Sequence, residues 1–439
     1  MPTRLFPLMF LVALAAPATG AGASGLPEPR PNPDRPGFIP STESRVTALR
    51  DDSCKTMRRL ARKGNRVRAI LVKDLGTGRV LCGLDPANRL SIASNTKLFT
   101  TATALAESGP DHRLATRVYA DGKIDEDGVL DGRLYLRGSG DPSLGSTRFL
   151  EAYFGGGGSD LGLLARKVKK AGIERITGRV MGDDSVFDRL RGTAESGYET
   201  SPWVGPLSGL AFNAGYLDSS LGSFVSNPAK LATETFARQL RKRGVSIPRR
   251  IAMDTTPKSA RSKPVAILRS PDLGWMARIT NVYSNNFFAE MLIKRIGVST
   301  ARSGTTAAGA RSVRRWSKRL GAPARIVDGS GLSRGNRASP KSIVKLLHRV
   351  RKKDFGPEFV DSLATAGRDG TLIGRMRGTA ADGRCQAKTG TLTGVSALSG
   401  LCSNRSGRVI GFSILMNGVT DIRAARLAQD RIAARVAGL

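Results

Sequence analysis

The pattern of apolar and polar residues in the amino-terminal part of the chain predicts four elements of secondary structure, two helices and two strands. Residues 44–63 place apolar side chains at helical spacing, whereas 67–73 and 79–83 alternate as two strands that flank a glycine-rich turn. The residues that follow Ser94 are good helix formers and stop at Gly109, which precedes a proline. We therefore expect a helix, an antiparallel hairpin and a second helix that begins at or near Ser94.

The carboxyl half of the chain shows longer periodic segments. Residues 272–296 and 303–320 have a helical pattern, and the first of these segments is interrupted at 284–286. We expect a strand that starts at Ile326 and runs into a loop reaching Arg334. The last part of the chain predicts three strands and a closing amphipathic helix, at 385–391, 396–403, 408–416 and 421–437.

Between these two parts lies a long interval of short, mixed elements. Its predicted elements are strands at 114–119, 132–136 and 175–181 and a helix at 160–171. A stretch of this length and composition is typical of an inserted domain. We therefore expect an α+β protein with one discontinuous domain, residues 44–112 and 265–439, and an inserted α+β domain at 113–264.

The first residues have the composition of an export signal. Residues 1–23 combine Arg4, an apolar core and the small-residue cleavage site Ala21-Gly22-Ala23, and the apolar core is too short to span a bilayer. Residues 24–43 are rich in proline and predict an extended tether. We expect an exported protein of the cell envelope, periplasmic or extracellular, without a transmembrane segment.

The four cysteines suit an oxidising compartment. If the strands at 385–391 and 396–403 form a hairpin that turns at Thr393-Gly394, Cys385 and Cys402 lie directly opposite each other, within disulfide range. We predict the pair Cys385–Cys402 and, by elimination, Cys54–Cys82. No pair has the Cys-x-x-Cys spacing of a zinc site, so no metal or other cofactor is expected.

The formal net charge of +34 is extreme for a chain of 439 residues. One interpretation is a set of solvated basic helix faces, and the other is attraction to a polyanion. For an exported protein the polyanion would be an anionic envelope polymer. No nucleic-acid-binding motif accompanies the charge, so no nucleic-acid partner is expected.

The first candidate catalytic residues are Ser94 and Lys97. A helix would place their side chains on one face, one turn apart. A serine needs a base to become a nucleophile, and a close, uncharged amine can be that base. The chain has only two histidines, which favours a lysine base over a histidine-containing triad. Alone, Ser-x-x-Lys is a weak motif that more often marks a helix cap and a surface lysine. However, Ser284-x-Asn286 and Lys388-Thr389-Gly390 follow in the order found in serine penicillin-recognising enzymes.

A competing motif is Gly331-x-Ser333-x-Gly335, with His348 downstream. This pattern matches the nucleophile elbow of another hydrolase class, which needs a strand, a tight turn and then an apolar helix. Here a loop is expected at 336–340, and the alternating strand–helix pattern of that fold is missing. We therefore reject this interpretation.

The whole chain after the export signal resembles the class C low-molecular-mass penicillin-binding proteins, a family of D-alanyl-D-alanine carboxypeptidases and endopeptidases. The matching stretches are Ser94–Lys97, Gly138–Pro142, Gly178–Asp184, Ser284–Glu290, Asp328–Arg334 and Lys388–Thr391. The resemblance implies a penicillin-binding-protein/β-lactamase-like domain, an antiparallel sheet flanked by helices. It also implies a third small domain after Asn213, but only a dozen residues separate Asn213 from the helix expected near Pro228, so we predict that this domain is absent or vestigial.

The resemblance assigns an expected role to each candidate residue. Ser94 would be the nucleophile, Lys97 its base, Ser284 a proton relay and Asn286 a substrate-orienting amide. Lys388 would complete the catalytic set and supply positive charge for the terminal carboxylate of the substrate. The residues expected to bind substrate are Thr389, Gly390 and Thr391, with Asp141 and Arg334 at the charged end of a diaminopimelate-type side chain. The expected partners are peptidoglycan stem peptides ending in D-Ala-D-Ala, and β-lactams as covalent inhibitors. The alternatives are a β-lactamase-like hydrolase and a catalytically lapsed basic envelope-binding protein.

Overall fold

The computed structural model describes residues 42–62, 65–218 and 220–439. The expected signal peptide and all but the last two residues of the expected tether lie outside these residues. The chain divides into a small unit, Met1–Asp52, and a large unit, Ser53–Leu439. The large unit contains every candidate site residue.

The described elements agree in type with most of the sequence predictions. The helices are α1 (Thr42–Ala61), α2 (Thr96–Ser108), α3 (Thr147–Phe154), α4 (Leu161–Lys170), α5 (Pro228–Arg241), α6 (Leu273–Val282), α7 (Asn286–Ala301), α8 (Thr306–Arg319), α9 (Pro340–Val350), α10 (Gly356–Asp361) and α11 (Ile422–Gly438). The strands are β1 (Asn65–Asp74), β2 (Val80–Leu84), β3 (Leu90–Ser91), β4 (Arg113–Ile124), β5 (Val129–Arg137), β6 (Leu144–Gly145), β7 (Ser159–Asp160), β8 (Arg175–Ile176), β9 (Val180–Asp183), β10 (Ala252–Met253), β11 (Ala266–Asp272), β12 (Arg337–Ala338), β13 (Ala364–Thr365), β14 (Cys385–Leu392), β15 (Val395–Ser403) and β16 (Val409–Val419).

The first sheet has the strand order β13-β14-β15-β16-β1-β2, and all of its neighbouring strands are antiparallel. Both of its faces are buried. Ile70 and Phe412 pack on one face against Ile432 of α11, while Leu71 and Leu415 face the opposite core with α2 and α9. Successive side chains of a strand point to opposite faces, so a sheet covered by helices on both sides needs strands that are apolar at almost every position. In β15 every residue from Val395 to Cys402 is accordingly buried, and the polar members of this run are small serines.

The second sheet is built from the interval between the first two motifs. Its order is β10-β9-β5-β4-β11, with β8 beside β5. Helices α4 and α5 cover one face, where Leu164 and Phe236 belong to a separate buried cluster. The hairpin β4–β5 is antiparallel, whereas β9 joins β5 in parallel, so this is a mixed α+β layer. The predicted domain boundaries, and the predicted absence of a third domain, remain predictions.

The interruption predicted at 284–286 is confirmed. Helix α6 ends at Val282, α7 begins at Asn286, and Ser284 between them has a φ of +56°. The side chain of Asn285 accepts a hydrogen bond from the Phe288 backbone N–H and caps α7. Ser284 and Asn286 would point to opposite sides of one continuous helix. Instead, Ser284 lies on the turn between the two helices and Asn286 is the first residue of α7.

Three expectations about backbone structure were wrong. The strand expected from Ile326 is absent, because the backbone N–H groups of Val327 and Asp328 donate to the side-chain oxygen of Asn336 instead of to a neighbouring strand. The loop expected at 336–340 contains the short strand β12 and the start of α9. The strand expected at 175–181 is also divided into β8 and β9.

Both predicted disulfides are present in the structure, Cys54–Cys82 and Cys385–Cys402. The register of β14 against β15 places Cys385 opposite Cys402, and Leu392 pairs with Val395 across the expected two-residue turn. The second disulfide therefore links the two strands a few residues from Lys388.

Removing this link should destabilise the fold. The variant Cys385→Ala/Cys402→Ala should lose about 3 kcal/mol of the free energy of unfolding, because the unfolded chain is no longer constrained by a 17-residue loop. Urea unfolding followed by circular dichroism measures this loss. An unchanged transition midpoint would contradict the expectation.

Candidate active site

Ser94 lies on a short 3-10 turn, Ala93–Asn95, that leads into α2. Two glycines allow other segments to approach this turn. A Cβ atom on Gly331, whose φ is +92°, would lie 2.0 Å from the carbonyl oxygen of Ala93, and one on Gly390 would lie 3.1 Å from the backbone nitrogen of Ser94. Side chains at either position would displace the serine turn. Gly390 therefore has a packing role against Ser94, which the sequence did not indicate.

Lys97 is fully buried beneath Ser94 and has three hydrogen-bond partners. Its Nζ lies 3.0 Å from Ser94 Oγ, 2.7 Å from Asn286 Oδ1 and 2.6 Å from the carbonyl oxygen of Ser330. Three segments distant in sequence thus meet at one amine. The spacing of Ser94 and Lys97 on one helical face is as predicted.

Burial lowers the pKa of Lys97 to about 7, because an ammonium group loses its hydration there. The nearby carboxylates of Glu290 and Asp328 act in the opposite direction and raise this pKa. The balance leaves a large fraction of the amine uncharged near neutral pH.

Glu290 and Asp328 are a buried carboxylate pair that the sequence analysis did not single out. Glu290 Oε1 accepts the backbone N–H groups of Gly329 (3.1 Å) and Ser330 (2.7 Å), whereas its buried Oε2 has no hydrogen-bond partner among the described residues. Burial, followed by the charge of Asp328, raises the pKa of Glu290 well above its usual range. The pair holds the loop whose carbonyl oxygen accepts from Lys97.

Asn286 is fixed at both ends of its amide. Its Oδ1 accepts from Lys97, and its Nδ2 donates to the carbonyl oxygen of Trp203 at 2.9 Å. Trp203 comes from the interval between the first two motifs and is 70% exposed. Ser284, two residues before Asn286, is half-buried on the turn described above.

Lys388 is fully buried on β14. The backbone carbonyl of Lys388 accepts from Asn95 Nδ2 at 3.0 Å, which joins this strand to the serine turn. Burial, followed by the charge of Lys97, lowers the pKa of Lys388 well below its usual range. The strand β13 pairs only with Gln386 and Ala387, so in the described part of the chain no strand pairs with this edge of β14 after Lys388, whose own carbonyl is taken by Asn95. A free edge offers backbone N–H and C=O groups to an extended peptide.

The two threonines of this strand point towards other elements. Thr389 Oγ1 donates to Thr371 Oγ1 at 3.0 Å, and Thr391 Oγ1 accepts from a guanidinium nitrogen of Arg426 at 3.3 Å. Arg426 lies near the start of α11 and was not identified from the sequence, where it is one of many arginines. It adds a cation beside the end of β14.

Asp141 and Arg334 lie in different surroundings. Asp141 is buried and accepts hydrogen bonds from Ser143 Oγ (2.7 Å) and Ser159 Oγ (2.5 Å), and burial raises its pKa. Ser143 lies two residues after Asp141, and Ser159 belongs to β7. Arg334 is exposed and donates to the carbonyl oxygen of Thr393, in the turn that follows β14. Arg334 therefore contacts the turn that follows the strand carrying Lys388, whereas Asp141 is held by two serines of the interval between the first two motifs.

This geometry can be compared with known proteins. Residues 57–223 and 216–439 match the D-Ala-D-Ala carboxypeptidase 3 (S13) family. The chain belongs to this family of serine-type carboxypeptidases. The relatives of this S13 chain include the D-alanyl-D-alanine carboxypeptidase of Actinomadura sp. (strain R39), which is 30% identical over 92% of this chain and 87% of its own length. Carboxypeptidase DacB of Mycolicibacterium smegmatis is 28% identical over 97% of this chain and 93% of its own length.

Solved structures with the same fold include penicillin binding protein 4 of Haemophilus influenzae. Its TM-score to the S13 chain is 0.72 at 19% identity, covering 87% of this chain and 97% of that protein. A predatory endopeptidase of Bdellovibrio bacteriovorus has a TM-score of 0.55 at 21% identity, covering 85% and 92%. The expected fold class is confirmed by these likenesses.

Proposed function

We propose that this D-Ala-D-Ala carboxypeptidase acts through a covalent ester on Ser94, releases the terminal D-alanine of peptidoglycan stem peptides, and is trapped at the same serine by β-lactams. The observation that supports this most strongly is the set of partners of Lys97. Two of its three partners are amide or peptide oxygens, which can only accept hydrogen bonds. An uncharged amine has two N–H groups and one lone pair. It can donate to both oxygens, and its lone pair then faces the O–H of Ser94.

Acylation begins when Lys97 takes the proton of Ser94 and Oγ attacks the carbonyl carbon between the two D-alanines. The backbone N–H groups of Ser94 and Thr391 stabilise the oxyanion, an interaction typically worth about 3–4 kcal/mol per donor. The C–N bond then breaks, and Ser284 passes the proton to the leaving amine. D-Alanine leaves, and water hydrolyses the ester.

Substrate recognition is proposed to depend on the positive groups around β14. The terminal carboxylate would lie near Lys388, with the hydroxyls of Thr389 and Thr391, and its charge would favour the ammonium form of Lys388. Arg426 adds a second cation at this end. Arg334, at the following turn, is retained as a candidate for the side chain of the stem peptide. Asp141 is retained with it only on the family resemblance.

The test is mass spectrometry of the full chain after incubation with benzylpenicillin. The proposal expects a stable adduct of one penicillin per chain, located on the peptide that contains Ser94. Rapid turnover of penicillin without an adduct would indicate the β-lactamase-like alternative, and neither adduct nor turnover would indicate the lapsed protein. Release of D-alanine from a pentapeptide, compared with cleavage of cross-linked dimers, then measures carboxypeptidase against endopeptidase activity.

Location in the envelope is also a proposal. In the described part of the chain no helix is long and apolar enough to cross a bilayer. The two disulfides suit an oxidising compartment. Together with the leader-like composition of residues 1–23, these features support export to the envelope.

The pH dependence of acylation should change in the variant Glu290→Gln. The acylation rate should rise with pH through the pKa of Lys97, about 7, since only the uncharged amine accepts a proton. The charge of Glu290 raises this pKa, so its removal should move the rising limb to lower pH. The amide oxygen of glutamine can still accept from Gly329 and Ser330.

The measurement is the second-order rate constant of penicillin acylation between about pH 5 and 9. This range extends on both sides of the pKa of Lys97 and therefore covers its titration. The exposed Glu151→Gln is the control and should leave the midpoint unchanged. A midpoint that stays in place, or moves to higher pH, in Glu290→Gln would rule out this role of Glu290.

A further inference from the structure

A cleft in the inserted region is lined by basic side chains. It lies between α4 and β11 and has a volume of about 860 Å³. We call it the basic cleft and define it by six residues: Arg166, Lys167, Lys169, Lys170, Arg243 and Arg269. A second cavity of about 520 Å³ adjoins it and shares Arg166 and Arg243, so the two form one longer channel.

The cations of the basic cleft are largely uncompensated. Lys169 pairs with Glu174, but the other five form no ion pair with the described residues. None of the described residues that line the larger cavity is acidic. The one acid in the adjoining cavity, Asp160, accepts from the backbone N–H of Gly162 and from Thr147 Oγ1, at the amino end of α4. The channel is therefore a concentration of unpaired positive charge.

Local packing explains how these charges are held together. Leu164, Ala165 and Val168 of α4 point into the core, which forces the intervening basic residues outward on adjacent turns. Arg243 is positioned by Gln239, whose backbone and side-chain oxygens accept from one guanidinium nitrogen at 2.8 and 2.6 Å. Its buried Nε has no partner among the described residues. Like charges this close repel one another, and a bound anion would reduce this repulsion.

We propose that the basic cleft binds a polymer of phosphodiesters that carries no bases. Arginine and lysine side chains together suit phosphate, which arginine can bind with two parallel hydrogen bonds. Single-stranded nucleic acid would need exposed aromatic side chains on which bases stack. Among the described residues none lines the basic cleft, and Phe212, which lines the adjoining cavity, is buried. A membrane surface would favour a flat or convex basic face, whereas this surface is a channel. The cleft uses none of the proposed catalytic residues, so the inference is independent of the acyl-enzyme.

The test compares two variants of equal net charge. In the first, Arg166→Gln/Lys170→Gln/Arg269→Gln removes three exposed cations of the cleft. In the second, Arg311→Gln/Arg315→Gln/Arg319→Gln removes three exposed cations of α8. Affinity for poly(glycerol phosphate) is measured by fluorescence anisotropy over a range of salt concentrations. Penicillin acylation, expected to be unchanged in both, checks that the variants are folded.

The cleft variant should bind at least about tenfold more weakly than the native chain at low salt. The number of counterions released on binding, obtained from the slope of log affinity against log salt concentration, should fall by roughly two to three. The α8 variant should change affinity by less than about twofold at the same salt concentration. Equal weakening in both variants would overturn the proposal, since the attraction would then be a property of net charge. Equal affinity for poly(glutamate) would overturn the phosphate preference. Tighter binding of oligothymidylate or of anionic vesicles, lost in the cleft variant, would replace the proposed ligand with nucleic acid or membrane.

Discussion

The variant Ser94→Ala should form no covalent adduct with benzylpenicillin and should release D-alanine at least roughly a thousandfold more slowly than the native chain. Alanine has no oxygen to attack the carbonyl, and the remaining groups can bind substrate without forming the ester. Loss of one partner of Lys97 leaves the other two in place, so the fold should be retained. Intact mass and the rate of D-alanine release measure the two effects.

The matched control is Ser333→Ala. Ser333 is the serine of the competing Gly-x-Ser-x-Gly motif, and its Oγ accepts from the backbone N–H of Gly335 at 3.1 Å. This variant should acylate normally. An adduct that survives in Ser94→Ala, or disappears in Ser333→Ala, would assign the nucleophile elsewhere.

The variant Lys97→Met should slow acylation by about a hundred- to ten-thousandfold, the usual contribution of a general base. Methionine fills a similar volume but cannot accept the proton of Ser94. The rising limb of the pH profile near pH 7 should disappear, because the group that titrates there has been removed. Stopped-flow acylation across the pH range measures both changes.

Stability offers a second readout of the same substitution. The folded pKa of Lys97 is about 7 and lies below the ordinary value of 10.5, so between these pH values the unfolded chain binds more protons than the folded chain. The contribution of Lys97 to the free energy of unfolding should therefore rise with pH across this window and level off below pH 7, where the amine is protonated in both states. Lys97→Met lacks this contribution, so its stability relative to the native chain should be greatest below pH 7.

Lys294→Met is the control for burial of a lysine. Lys294 is 1% exposed and pairs with Asp188, and its charge also interacts with Glu290. Its replacement should leave a carboxylate without its partner and destabilise the fold, while acylation and its rising limb with pH are retained, because Lys97 is still present. An equal loss of acylation in both lysine variants would show that Lys97 contributes through stability alone.

The sequence by itself determined the elements and the order of the motifs. Helix and strand periods are local properties, so α2, α7 and the strands β14 to β16 could be predicted within a few residues. The opposition of Cys385 and Cys402 was also predictable, since a two-residue turn determines the register of a hairpin. The break at Ser284 followed from the requirement that two side chains, two positions apart, reach one site.

Tertiary structure decided the features that depend on long-range contacts. No local pattern indicates that Glu290 and Asp328 meet behind Lys97, that Arg426 reaches Thr391, or that Asn286 is held by Trp203. The strand predicted at Ile326 failed because side chains compete for the backbone N–H groups of this segment: Asn336 accepts from Val327 and Asp328, and the distant Glu290 accepts from Gly329. The pKa of Lys97 is likewise lowered because its amine is buried among three segments far apart in sequence, and this burial exists only in the folded chain.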